Sequence, residues 1–232
     1  MASKETYYLT PNAAGTAFTG TGYTPDGTLP TGAIPCTQSQ AQNFQAYVPN
    51  NGEIVAAPDS VLLQQAQSAQ IAVVTNGYNS ATDYVSVTIN GTAYQVDNTP
   101  GKQALNLSLA ITANAMLQAP AWVADTGYSA GAYCSVGGVI LFCSASGKSG
   151  TASPTPPTTF GTPVTDGTAA WELLGRKVYL QGGSFVYMTP QQLMSAFQQG
   201  ELYLHQMSDK LELLKAEINA ATTVTAVQTF TF

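Results

Sequence analysis

The segment Leu193–Ile218 sets the firmest limit on how this chain can fold. From Leu193 onward, apolar or small residues fall at Phe197, Gly200, Leu204, Met207, Leu211, Leu214 and Ile218, in steps of 4, 3, 4, 3, 4, 3 and 4. That spacing holds a single stripe along one side of a helix. The charged residues Glu201, Asp209, Lys210, Glu212, Lys215 and Glu217 all lie off the stripe, as a solvated outer face requires. Thr189-Pro190-Gln191-Gln192 opens the segment with an N-cap, a first-turn proline and a capping-box glutamine. A helix this long must cover its stripe, either with its own domain's helices or with a second copy of the chain. Gly200 weakens the first part of the stripe by about 1 kcal/mol relative to alanine, and the spacing leaves both partners open. Leu193, Phe197, Leu204, Met207, Leu211, Leu214 and Ile218 are therefore a candidate oligomerisation seam.

Charge narrows the function classes. Only 9% of the 232 residues are charged, against about 25% in an ordinary soluble domain, so solubility rests on hydroxyl, amide and glycine groups. A net charge of −6 with 7 lysines and arginines cannot neutralise a run of phosphates, which argues against nucleic-acid binding. No stretch is long and apolar enough to insert in a membrane, and Lys4, Glu5 and Tyr7-Tyr8-Leu9 do not form a leader, so a soluble product made in the cytoplasm is expected. Cys36, Cys134 and Cys143 are odd in number and lack C-x-x-C spacing, which encodes neither a disulfide framework nor a metal site.

Along the chain, Tyr7-Tyr8-Leu9, Thr16–Phe18 and Gly22–Thr24 are short strands between turns, and Thr37 with Gln40 is a capping box ahead of a short helix that Asn50-Asn51-Gly52 should end. Glu53-Ile54-Val55 resumes as a strand, and Asp59 or Ser60 caps a helix through Val74. Tyr84–Ile89 and Thr92–Val96 alternate around Asn90-Gly91, the signature of a type I′ hairpin. Thr99-Pro100 starts a helix carrying Leu105, Leu109, Ile111 and Met116. From Ala121 to Trp171 the composition turns to Gly, Ser, Thr, Pro and Tyr, a separate β-rich insert. Val178–Met188 reads as two short strands.

No catalytic constellation is visible. The single histidine, His205, flanks the stripe, the acidic residues sit in turn contexts such as Pro25-Asp26-Gly27 and Thr165-Asp166-Gly167, and Ser146-Gly147-Lys148-Ser149-Gly150 lacks both the earlier glycine and the following helix of a phosphate loop. The expectation is a non-enzyme without catalytic residues, metal or cofactor. The insert holds a better candidate. Trp122, Tyr128, Tyr133, Phe142 and Trp171 punctuate it, and aromatic faces can stack on sugar C–H surfaces without any charge. Trp122 and Trp171 could equally be the core of a small module, which leaves Tyr128, Tyr133 and Phe142 as the better candidates for an exposed platform.

The order Trp122, Tyr128, Gly131, Tyr133, Gly137-Gly138, Leu141-Phe142, Ser146–Gly150 and Asp166-Gly167-Thr168 to Trp171 resembles the small aromatic modules of phage tail fibres and of chitinase-type carbohydrate-binding domains. The opening, with Tyr7-Tyr8, Phe18, Ile34-Pro35, Thr37–Tyr47, Asn51-Gly52-Glu53-Ile54-Val55 and Pro58, resembles phage tail-fibre assembly proteins. The rest resembles a domain often fused to such openings: the Tyr84–Val96 hairpin, a helix, Trp171, Phe185-Val186-Tyr187-Met188-Thr189 and the closing Ile218-Asn219-Ala220-Ala221. The resemblance implies a non-enzymatic tail-fibre-associated virion protein that docks on a fibre or oligomerises and attaches to host-surface glycan. The alternatives are an assembly chaperone that leaves the mature particle, which would not need the insert, and a structural tail or head protein without a ligand. Its implied partners are tail-fibre or baseplate proteins, copies of itself and host polysaccharide.

The expected fold is α+β. It comprises a hairpin–helix unit over 1–58, a helix–hairpin–helix frame over 59–120, the inserted β module over 121–171, and a strand pair with the heptad helix over 172–232.

Overall fold

The computed structural model describes residues 5–232; Lys4 and the start of the expected 1–58 unit lie outside them. The chain mixes helix and strand in several small sheets and ends in a long helix. In order, it runs β1 (Thr6–Pro11), β2 (Phe18–Thr24), β3 (Ile34–Cys36), α1 (Gln38–Gln42), β4 (Tyr47–Asn50), β5 (Glu53–Ala56) and α2 (Asp59–Thr82). There follow β6 (Tyr84–Ile89), β7 (Thr92–Asp97), α3 (Pro100–Met116), β8 (Gly127–Tyr128), β9 (Tyr133–Val136), β10 (Val139–Ala145), β11 (Gly147–Lys148), β12 (Val164–Asp166) and β13 (Ala169–Leu173). The last elements are β14 (Arg176–Tyr179), β15 (Phe185–Met188), α4 (Pro190–Ala220) and α5 (Val224–Val227).

Two compact units form. One takes the chain up to Val74 together with Leu213–Phe232, and the other takes Thr75–Glu212. This grouping differs from the four consecutive segments expected, because α2 and α4 each contribute to both units.

In the first unit, β2, β1 and β3 form an antiparallel sheet in that order, with Leu9 and Phe18 buried. The Thr37 capping box is present: Gln40 N donates to Thr37 Oγ1, and Thr37 N donates to Gln40 Oε1 at 2.9 Å. The helix it starts lasts only five residues. Asn51 and Gly52, with φ of 51° and 84°, then turn β4 into β5, so they close a hairpin where a helix end was expected. Gln67 Nε2 donates to the carbonyls of Ile218, Asn219 and Ala221 at 3.2 Å, satisfying groups that the end of a helix leaves without intrahelical partners.

The second unit is built on the β6–β7 hairpin, whose Asn90 and Gly91 both have positive φ, as a type I′ turn requires. Val85, Val87 and Ile89 from β6 meet Ala113 of α3, Val178 and Met188 of β14–β15 and Leu193 of α4 in one core. Gln199 pins α4 to the hairpin, accepting from Thr88 N at 2.8 Å and donating to Thr88 O at 3.0 Å. The buried positions of α3 are Ala110, Ala113 and Met116. Leu105 and Ile111 of the same helix are exposed at 38% and 63%, off the face that carries these buried residues.

The heptad stripe is partly covered within one chain. Leu193, Leu211 and Ile218 are buried, Phe197, Leu204, Met207 and Leu214 are half-buried, and Leu193 and Leu204 pack in the hairpin core. The exposed leucines of α4, Leu202 and Leu213, sit off the stripe. Part of the stripe is thus taken up inside the chain, and its half-buried positions leave open both partners that the spacing allowed.

Candidate functional site

Within the second unit, β12, β13, β10 and β9 form an antiparallel sheet in that order, flanked by the short β8–β11 pair. Strand alternation divides its side chains between two faces. Cys134, Leu141, Cys143, Ala169 and Trp171 form the buried cluster of one face, with Trp122, Tyr128 and Val164 packed against it.

This inner face is organised around Asp166. Its carboxylate is 5% exposed and accepts from Trp122 Nε1 at 2.8 Å, Trp171 Nε1 at 3.0 Å and Gly150 N at 2.7 Å. A buried carboxylate is tolerable only when its lone pairs are filled this way. The Ser146–Gly150 loop is equally structural: Ser149 Oγ accepts from Thr126 N at 2.9 Å and donates to Val123 O at 2.8 Å. A Cβ at Gly147 would strike the Thr168 carbonyl, and one at Gly167 would strike that of Lys148. Burial pushes the Cys134 thiol up to about 12, aided by Cys143 and Asp166 nearby, and burial raises Cys143 as well.

Three of the five expected ring platforms belong to this core. Trp171 is 0% exposed, so neither of its faces is open to a ligand. Tyr128 stands edge-on to it at 4.7 Å and 76°, its hydroxyl accepting from Val123 N at 2.9 Å. Trp122 is half-buried and held by Asp166. These rings form the core because a module this small has few other large apolar side chains.

Tyr133 and Phe142 lie on the opposite face. Register places Phe142 opposite Tyr133 on β9 and opposite Glu172 on β13, so ring, ring and carboxylate form a row across three strands. Tyr133 and Phe142 sit 5.9 Å apart at 46°, and both pack beside the cluster of Ile140, Leu174 and Met116, which closes one end of this face. Beyond the row lies a cleft of about 430 Å³ lined by Tyr133, Phe142, Phe160, Glu172, Arg176 and Tyr187. Phe160 comes from the proline-rich stretch and lies 5.7 Å from Tyr187 of β15. Its ring rests on the backbone of Gly175, where a Cβ would come within 2.5 Å of it.

The cleft's charges are disposed for recognition. Arg176 is the chain's single arginine. Among the described residues, neither it nor Glu172 forms an ion pair or a side-chain hydrogen bond. One therefore offers donors and the other acceptors to whatever enters. Beside the cleft, Tyr187 and Phe185 meet edge-to-face at 5.8 Å, and Lys177 Nζ lies 3.9 Å over the Phe185 ring, a cation–π contact that holds the exposed rings in place.

Of the five rings singled out in the sequence, Tyr133 and Phe142 line this cleft, and its other lining residues Phe160, Glu172, Arg176 and Tyr187 were not among them. One signal was present: Glu172 interrupts the apolar residues Trp171, Leu173 and Leu174 and so marks the outward side of β13. His205 is exposed on α4, away from these residues in sequence. No helix among the described residues is long and apolar enough to cross a membrane. Comparison with protein-family models, curated proteins and solved structures finds no match for the chain.

Proposed function

We propose that this chain is a non-enzymatic attachment protein of a bacteriophage tail, held on a fibre or baseplate, that binds host-surface polysaccharide through the aromatic cleft. The observation that carries the binding reading is the cleft itself: four rings from three separate segments converge beside a carboxylate and a guanidinium that have no partner among the described residues. Rings cover the apolar C–H face of a pyranose while the two charged groups exchange hydrogen bonds with its hydroxyls. Placement on a phage tail, and the virion as its location, rest on the sequence resemblance and on the low-charge, hydroxyl- and amide-rich surface. Each stacked ring contributes about 1 kcal/mol, so one cleft binds weakly and adhesion depends on several copies presented together. Docking on the fibre, or association with further copies of the chain, supplies that presentation.

A glycan microarray probed with the purified full-length chain, followed by calorimetry on any hit, tests the reading. Wild type should bind at least one polysaccharide class. Tyr187→Ala and Phe160→Ala should each weaken binding about tenfold, and Tyr23→Ala, an exposed ring of the other unit, should leave it unchanged. Absence of binding to every glycan, or binding indifferent to the cleft variants, would overturn it.

A further inference from the structure

Another concavity of about 450 Å³ lies in the Thr75–Glu212 unit, bounded by the end of α2, the β6–β7 hairpin, α3 and α4, and sharing no residue with the aromatic cleft. Its wall is apolar, formed by Val85, Val87, Leu109, Leu193, Phe197 and Leu204. The polar part of its lining is lopsided. Thr82 Oγ1 donates to the carbonyls of Tyr78 and Asn79 at 3.0 and 3.2 Å. Asn98 Nδ2 donates to Thr82 O at 3.0 Å, Gln103 Nε2 to Asn98 O at 3.2 Å and Asn106 Nδ2 to Asp97 O at 2.9 Å.

Each of these four lining side chains thus spends one donor on the protein's own backbone and keeps its oxygen lone pairs, and Asn79 and Tyr78 line the same space. Glu201, the one charged lining residue, adds a carboxylate. Gly200 keeps the space open: a Cβ there would meet Val85 Cγ1 at an ordinary 3.5 Å, so alanine would fit and would favour the helix, yet the stripe carries glycine at this point.

We infer that this pocket binds a small organic amine, with the apolar body against the valine, leucine and phenylalanine wall and the ammonium among the amide oxygens and the Glu201 carboxylate. The lining carries the Glu201 carboxylate and no lysine, arginine or histidine, so the balancing positive charge comes from the ligand. The volume lies within the range of about 300–1,000 Å³ found for small-molecule sites, and the Phe197 ring adds a surface that attracts a cation.

The test is methyl-detected NMR of the full chain titrated with 2-phenylethylamine and, separately, with its uncharged analogue 2-phenylethanol at neutral pH. The amine should shift the Val85, Val87 and Leu109 methyls saturably while leaving Leu173 in the aromatic cleft unmoved. The alcohol should bind about fivefold more weakly. Glu201→Gln, a surface change, should remove that difference, and Gly200→Leu, checked for folding by circular dichroism, should abolish the shifts by filling the pocket. Equal affinity for amine and alcohol, no effect of Glu201→Gln, or no saturable shift with either compound would overturn the inference.

Discussion

The two faces of the β12-β13-β10-β9 sheet are both aromatic, yet they use their rings in opposite ways. On the inner face, the polar atoms of Trp122, Tyr128 and Trp171 are each satisfied inside the module, the two indoles by Asp166 and the phenol by the Val123 amide. On the outer face, Tyr133 and Phe142 stand beside Glu172 and Arg176, whose charged groups have no partner among the described residues. On the proposed function, polar satisfaction therefore separates rings that hold the module together from rings that meet a ligand better than ring type or sequence order does. The contrast makes a sharp forecast: changes on the inner face should cost stability, and changes on the outer face should cost binding.

Asp166→Ala should show the largest effect. It leaves the buried Trp171 N–H and the half-buried Trp122 N–H and Gly150 amide without their acceptor, and a hydrogen bond to a charged group is worth about 1.5–3 kcal/mol. A loss on the order of 4 kcal/mol in urea denaturation is expected, accompanied by loss of the near-ultraviolet tryptophan signal. Asp166→Asn, which keeps one oxygen acceptor, should lose roughly half as much. A change below about 1 kcal/mol for the alanine variant would mean that the carboxylate is incidental to the inner face.

Alkaline pH sharpens the same contrast without altering any ring. The Cys134 thiol ionises at 9.0 where unperturbed but is held up to about 12 in the fold by burial. Between these values the unfolded chain releases a proton that the folded chain keeps. The thiol's contribution is therefore complete below pH 9 and declines as pH rises towards 12, by about 1.4 kcal/mol per pH unit. Comparing wild type with Cys134→Ala isolates this slope from the tyrosines and lysines that titrate in the same range. The variant should be less stable than wild type at pH 8, with the gap narrowing at pH 10; a constant gap would place the thiol in contact with solvent.

Legibility in the sequence followed how local each signal was. The Thr189-Pro190 helix start, the Asn90-Gly91 hairpin and the Pro100 helix all encode their geometry within a few residues, and all three elements are present. Asn51-Gly52 was ambiguous because positive φ serves a helix end and a hairpin turn equally well, and only the pairing of β4 with β5 decides between them. The same limit governed the cleft. Tyr133 and Phe142 share a hairpin and a face, so their proximity follows from strand alternation. Phe160 sits in irregular chain, and Tyr187 belongs to a strand whose residues Phe185–Met188 are all apolar or aromatic, which hides its alternation. What brings Phe160 to Tyr187 is the bare backbone of Gly175, a contact that no periodicity announces.

That glycine supplies the finest test of the contrast between the faces. Gly175→Ala places a methyl where the Phe160 ring lies, so the ring must leave while Asp166 and both indoles stay as they are. Phe160 is only half-buried and its segment has no strand or helix to disrupt, so the expected stability loss is about 1 kcal/mol or less. Near-ultraviolet circular dichroism should keep its tryptophan signal, and binding to a glycan identified on the array should fall about tenfold, as for Phe160→Ala. Should Gly175→Ala instead unfold the module, the outer face would share in holding the sheet together, and the division between a satisfied inner face and a ligand-facing outer one would fail.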